Sequence, residues 1–412
     1  MAAPLKDQIF NRSSIKRIAS DVERSSAAAG HLFDAAAFTD ECVARFAEQE
    51  LKARMAWITD RLRAHLPTRG GDDPAGVAAS VAILIDALPP ELDPTLSDDD
   101  FGDFIHQPFA QFVAETCRTS ELLGLGLDAL HEITRRFSAE YAIRFFLDDF
   151  PGPTLARLEA WSRDSNYHVR RLCSEGTRPL LPWAPRLTLD PEAPLPLLDT
   201  LAGDPTRYVT RSVANHLNDI AKRDPDLVVT ILSRWREEAA GGRVMPDLAF
   251  ITRHATRTLV KTGHAGALAL LGYDADAHVT LSEVSVPDLV TLGGSLDFSL
   301  AIETTGAAVP VVVDYAIQPV GTAVVKSTGL ARGRKVFKLK QSVVPADGPL
   351  RLAKSHPLRA AMTTRRATTG PHIVEFLVNG QPRGRAEFTI SHGRSPDHDG
   401  ESSPSPTTGN AL

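Results

Sequence analysis

The stretch DSNYHVRRLCSEGTRPL (164–180) returns twice in altered form, as DPTRYVTRSVANHLNDI (204–220) and LAFITRHATRTLVKTG (248–263). Alignment superposes Val169, Val209 and Ile251, and likewise Arg171, Arg211 and Arg253, at offsets of 40 and 42 residues. Apolar residues three and four apart within a period of that length indicate helix pairs of the HEAT type. One such pair cannot bury its apolar face alone, so successive pairs stack into a solenoid. The inner helices of a solenoid share one surface, which makes their polar positions the place to look for function.

Outward from these repeats, the same spacing runs from Pro4 to about Gly272, as in FTDECVARFAEQELKARMAWITDRLRAHL (38–66) and DLVVTILSRWREEA (226–239). After Tyr273 the texture changes to short β-rich runs such as SLDFSLAIET (295–304), VPVVVDYAIQP (309–319) and HIVEFLVNG (372–380), broken by Gly, Pro and Asp at the spacing of a sandwich. The expected architecture is multidomain: an all-α HEAT-like-repeat solenoid over 1–275, an all-β immunoglobulin-like sandwich over 276–392, and a Ser/Pro-rich disordered tail over 393–412.

A 43% apolar content supports real cores, and no run of about 18 apolar residues suggests a membrane span. The N-terminus lacks the apolar core and cleavage site of a signal peptide, so a cytoplasmic protein with no membrane partner is expected. Cys42, Cys117 and Cys173 stand far apart, without the paired spacing of metal sites or disulfide frameworks, and read as reduced, mostly buried thiols. The net charge of −6 is unevenly spread: residues 1–130 carry 12 Lys+Arg against 21 Asp+Glu. That distribution excludes a uniformly basic nucleic-acid binder but leaves room for a local basic face beyond residue 130.

Positions four apart share a helix face. On that rule the first repeat presents Arg171, Glu175 and Arg178, the second Arg211, Asn215 and Asp219, and the third Arg253, Arg257 and Lys261. One helix earlier, RRFSAEYAIRFF (135–146) adds Glu140 with Arg144 four residues on. A single Arg/Glu pair of this spacing is ordinarily a solvated, weakly stabilising contact. Recurrence of arginine at one repeat position three times instead suggests a cationic stripe that binds an anion. Pro179, Pro182 and Pro185 end the helix and hold Trp183 in an extended segment, where its indole either packs between repeats or stacks at the rim of a groove. Trp161 is open to the same two readings.

Recurring guanidinium groups suit a phosphodiester backbone. Carboxylates facing phosphates are repelled, so Glu140, Glu175 and Asp219 require a reason. Positive charge developing at a sugar anomeric carbon supplies one, since carboxylates stabilise an oxocarbenium-like state and position water. Asp199 and Asp204 lie close enough in sequence to compete with Asp219 for the third place.

The segments WSRDSNYHVRRLCSEGTRPLLPWAP (161–185), YVTRSVANHLNDIAKRDPDLV (208–228) and FITRHATRTLVKTGHAGALALLGY (250–273) resemble those of the HEAT-like-repeat alkylpurine DNA glycosylases, in the AlkC branch. The resemblance runs from about Pro4 to Tyr273, and the β region resembles the immunoglobulin-like module carried by some members. It implies stacked helical hairpins and base excision repair by release of N3-methyladenine and related cationic methyl bases. The family bends the duplex without extruding the base into a pocket. Carried over, Glu140, Glu175 and Asp219 resemble the carboxylate cluster, Arg171 a backbone contact and Trp183 an aromatic neighbour of the lesion. No metal and no cofactor are implied.

Methylation at N3 makes adenine a cation, so the base departs neutral and needs no general acid. The expected partner is double-stranded DNA containing alkylated bases. The chain is expected to act as a monomer with no obligatory protein partner, associated with the nucleoid when on DNA. Arg178, Arg211, Arg253, Arg257 and Lys261 are expected phosphate contacts. Arg365 and Arg366 are expected to touch the duplex from the β-domain. The alternative is a non-catalytic DNA-binding or protein-interaction scaffold. A metal-dependent nuclease fits less well, because the carboxylates are interleaved with arginines and no His/Asp cluster has ligand spacing.

Overall fold

The computed structural model describes residues 4–70, 73–93, 102–323, 332–358, 361–362, 365–366 and 369–392; the expected disordered tail over 393–412 lies outside the described residues. Helices run from Leu5–Ile9 to Ala265–Leu270, and strands from Val279–Ser285 to Gln381–Ser391, so the all-α then all-β order is as expected. No described helix is long and apolar enough to cross a membrane. All three cysteines are buried and unpaired.

Contacts divide the chain into two compact units, Met1–Leu259 and Val260–Leu412. The division precedes the 275/276 boundary read from the sequence, because the last helical turns belong to the β unit. Gly263 and Gly380, both in the left-handed region at φ 76° and 75°, meet backbone to backbone. A side-chain carbon on Gly380 would stand 2.2 Å from the Gly263 Cα. The Asn379 amide also donates to the Asp274 carbonyl at 2.7 Å.

In the helical unit Val169, Val209 and Ile251 are each fully buried, which is why the repeat is legible in apolar residues. The helix Tyr167–Glu175 starts at Asn166, whose side chain accepts from the His168 N–H at 2.9 Å. Helix Arg207–Ile220 packs between it and Leu248–Ala255. An aspartate ahead of each of these helices ties it to a neighbouring element: Asp164 bonds to His131 at 2.8 Å, Asp204 accepts from Arg170 at 2.6 Å, and Asp247 accepts from Arg207 at 2.6 Å.

Two helix expectations are corrected. Arg253, Arg257 and Lys261 do not share one helix, since Leu248–Ala255 stops and Arg257–Thr262 begins afresh. The Thr252 and Thr256 hydroxyls donate to carbonyls four residues back at 2.8 and 2.7 Å, a bonding mode that bends helices. Glu140 is not on a helix with Arg144 either, because that helix starts at Ile143 and Glu140 sits in the preceding turn.

The strands are β1 (Val279–Ser285), β2 (Leu289–Thr291), β3 (Ser295–Thr304), β4 (Val309–Pro319), β5 (Lys335–Val344), β6 (Leu350–Pro357), β7 (Ala361–Met362), β8 (Arg365–Arg366), β9 (Gly370–Val378) and β10 (Gln381–Ser391). One sheet has the order β1-β3-β6, a second β2-β10-β9-β4-β5, and β7-β8 form a small ribbon. Alternate residues enter the core, Leu296, Phe298 and Leu300 from β3 against Val311, Val313 and Tyr315 from β4 and Val374, Phe376 and Val378 from β9. This is the expected immunoglobulin-like sandwich.

At the register shift beside Val313, Asp314 is buried. Burial raises its pKa to about 6 from 3.8, with Lys338 and Lys261 opposing the shift. A carboxyl whose folded pKa is raised contributes stability below the unfolded value and loses it as pH climbs through the folded one. Asp314→Asn should therefore stabilise the β unit at pH 7 by on the order of 1 kcal/mol and remove the decline between pH 4 and 6. Thermal unfolding of both proteins across that range checks it.

Candidate functional site

Glu140, Glu175 and Asp219, from three separate elements, meet in one file with cations between them. Arg171 Nη1 donates to Glu140 Oε2 at 2.8 Å and to Ser138 Oγ at 3.2 Å, while its Nη2 lies 3.7 Å from Glu175 Oε1. Arg178 Nη1 donates to the same Glu175 oxygen at 2.6 Å and its Nε to Asp219 Oδ2 at 2.9 Å. Lys222 Nζ ends the file 3.3 Å from Asp219 Oδ1. Acid and base alternate without a gap: Glu140, Arg171, Glu175, Arg178, Asp219, Lys222. Of the competing aspartates, Asp204 holds Arg170, and Asp199 accepts from Arg234 and the Trp235 indole, so neither is in the file.

Burial makes these pairs consequential. Glu175 is 5% exposed, Asp219 4% and Arg178 7%. Burial alone would lift the Glu175 pKa. The charges of Arg171 and Arg178, with hydrogen bonds from Ser212 at 2.7 Å and from Arg178, outweigh it and hold the carboxyl below the usual range. Glu175 is thus an anion at neutral pH inside the protein. Burial disfavours the charge on Arg171, but Glu140 and Glu175 more than compensate; Arg178 is likewise raised by Glu175 and Asp219 against its burial. The Arg171 guanidinium also lies 4.4 Å over the Tyr208 ring. Both arginines spend their donors on carboxylates rather than facing outward as bare phosphate contacts.

Behind the file, Arg144 is 1% exposed and has no carboxylate within ion-pair distance among the described residues. Its Nη1 donates to the Gly176 and Arg178 carbonyls at 2.9 and 2.8 Å, and its Nη2 and Nε to the Pro185 carbonyl at 2.7 and 3.1 Å. Burial pushes its pKa down to about 10. Its role is to tie the end of the Glu175 helix to the proline-rich segment rather than to pair with Glu140.

Trp183 stands in that segment, 73% exposed, and the extended backbone expected for it is corrected: it lies in a turn, in the left-handed region at φ 72°. Few non-glycine residues adopt this backbone, and where they do the strain often serves a site. Lys52 donates to its carbonyl. Trp161 is buried, its ring 5.3 Å from that of His131, and packs between repeats.

Farther along the helices, Arg253 is exposed and Arg211 half-buried, and Arg257 donates to Asn215 Oδ1 at 3.1 Å. Burial, then the charges of Arg257, Arg211, Arg253 and Arg178, lower the His254 pKa to about 4. The local field is strongly positive. Lys261 falls in the second unit, where its charge acts on Asp314. Arg365 and Arg366 form β8, and their side chains lie outside the described residues.

The alkylpurine DNA glycosylase AlkC of Pseudomonas fluorescens, in its structure bound to DNA containing an abasic site analogue, is 36% identical to this chain. The two agree with a TM-score of 0.76 over 94% of this chain and 100% of that one. The chain belongs to the AlkC family. The uncharacterized protein YhaZ of Bacillus subtilis (strain 168) is 35% identical over 268 residues, 64% of this chain and 71% of that protein. Residues 280–392 match the family described as the C-terminal Ig-like domain of YhaZ.

Within this AlkC-family chain, sequence reasoning missed Ser212, Ser138, Tyr208 and Arg144. Serine recurs everywhere and gives no spacing signal; Arg144 was visible only as a helix neighbour of Glu140. The file is also flanked by two hollows. One of about 330 Å³ opens at the Asp219 end, lined by Arg186, Lys222 and Arg223, and one of about 320 Å³ at the Glu140 end is walled by aromatic rings. Among the described residues no group of three or more His, Cys, Asp or Glu is placed to hold a metal ion.

Proposed function

We propose that this chain is a DNA glycosylase that hydrolyses the N-glycosidic bond of cationic alkylated bases, N3-methyladenine foremost, in double-stranded DNA. The observation that carries the reading is the file itself: three carboxylates, two of them buried and one of those, Glu175, held ionised by arginines and a serine, beside a positively charged helix surface. When the bond from C1′ to the base breaks, its electron pair neutralises the alkylated ring, and cationic charge passes to the sugar. Glu175 and its neighbours stabilise that charge, and a water adds to C1′ and sheds its proton to a carboxylate and then to solvent. The carboxylates act on the sugar, so the reaction calls for no extrusion of the base. Duplex DNA with N3-methyladenine should lose the free base to this chain, and duplexes with uracil or hypoxanthine should not. Equal release of uracil would refute selection by charge.

In this reading Arg211, Arg253 and Arg257 contact phosphates, joined by Arg186, Lys222 and Arg223 at the Asp219 end, with Lys261, Arg365 and Arg366 contributing from the β unit. Arg211→Ala with Arg253→Ala should flatten the dependence of log affinity on log salt by about two units, roughly one per lost phosphate contact. An unchanged slope in a salt titration would sink the shared surface.

A further inference from the structure

The hollow at the Glu140 end, about 320 Å³, joins residues of the N-terminal third of the chain, which the file does not use, to residues between Phe137 and Ala184. Helix Leu5–Ile9 and residues Leu51, Lys52 and Met55 line it together with the turn carrying Glu140 and the segment carrying Trp183. Four aromatic side chains line it: Phe104, Phe137, Tyr141 and Trp183. Phe104 and Phe137 pack edge to face, with centroids 5.2 Å apart, so one of these walls is firm. Its polar lining includes Ser138 and Glu140. Glu140 spends Oε2 on both Arg171 and Ser138, and its Oε1 has no hydrogen-bond partner among the described residues.

A cavity at the small end of the ~300–1,000 Å³ range of ligand sites, with aromatic walls and one carboxylate oxygen open to a donor, suits a small planar heterocycle bearing an amino group. We propose that it receives the free alkylpurine after the glycosidic bond breaks, as a product site adjoining the file. The inference rests on the glycosylase reading above. Once the pair of electrons has neutralised the base, nothing electrostatic holds it to the file. Its apolar faces then favour the aromatic walls, and its amino group can donate to Glu140 Oε1. Trp183, in the left-handed region and largely exposed, lines the same cavity as Glu140.

Equilibrium dialysis of the full chain against free N3-methyladenine, without DNA, should show saturable one-to-one binding. Ile9→Phe, which fills the cavity from the first helix and alters no residue of the file, should weaken that binding about tenfold or more and leave affinity for undamaged duplex unchanged. The free base should also inhibit excision by the wild type, and inhibit the variant about tenfold less. Absence of saturable binding by the wild type overturns the proposal, whatever the variant does. So does equal binding by Ile9→Phe. Excision without retention of the free base removes the product site and leaves the glycosylase reading intact; retention without excision keeps a purine site and removes that reading.

Discussion

Glu175→Gln should slow release of a cationic alkylpurine by on the order of 10³-fold or more, with fold and DNA affinity near wild type. The amide keeps the size of the side chain: its carbonyl oxygen can still accept from Arg178, which donates to Glu175 Oε1 at 2.6 Å, and its NH2 can donate to the Ser212 hydroxyl, which in the wild type donates to Oε2 at 2.7 Å. Neither arginine is stranded, because Arg178 retains Asp219 and Arg171 retains Glu140. What disappears is a negative charge fixed in a water-poor setting, where it is worth far more to a developing sugar cation than the same charge in solution. Single-turnover excision alongside thermal unfolding measures both halves. Wild-type rates in the variant would take Glu175 out of the chemistry.

Arg178→Met should cost about 3–5 kcal/mol of stability at neutral pH, because it leaves Glu175 and Asp219 buried without their shared cation. Methionine fills much of the volume, so the loss is electrostatic more than steric. The pH dependence separates the two. In the wild type the depressed pKa of Glu175 contributes stability present above the ordinary value of 4.5 and lost as pH falls through the folded value. In the variant burial acts with less opposition, the pKa rises, and the deficit closes as pH falls and the carboxyls take up protons. Denaturant unfolding at pH 4.5 and 7.5 should show a large gap at the higher pH and a small one at the lower. The acid limb of the excision profile should move upward in step. A gap independent of pH would make Arg178 a packing residue.

The repeat was legible because Val169, Val209 and Ile251 are core positions with the same constraint in each helix pair. Glu175 and Asp219 were legible because spacing fixes which face of a helix a residue occupies, whereas Glu140 was placed on a helix it does not belong to. Spacing does not say what a side chain on that face meets. Arg171 and Arg178 read as cations free for phosphate, and are buried bridges between acids, since their partners come from elements 31 to 41 residues away. The helix break at Thr256 was missed because the buried Ile251, Ala255 and Leu259 keep the four-residue apolar spacing across it. The aromatic hollow was out of reach for a related reason. It joins Leu5 and Ile9 to Trp183, contacts set by how the first helix closes on a segment far along the chain.

Arg144 gives the site a dynamic character. One guanidinium, through four hydrogen bonds, gathers the carbonyls of Gly176, Arg178 and Pro185 into a single knot. Freeing one strand of that knot leaves a buried cation short of acceptors, which favours opening of the knot as a whole. The backbone on both sides of Trp183 and the end of the Glu175 helix therefore form one cooperative unit of local unfolding, whose amides exchange with solvent together. A fluctuation that loosened the indole would then also displace Glu175, so the aromatic rim and the carboxylate proposed for the chemistry are expected to lose their alignment together.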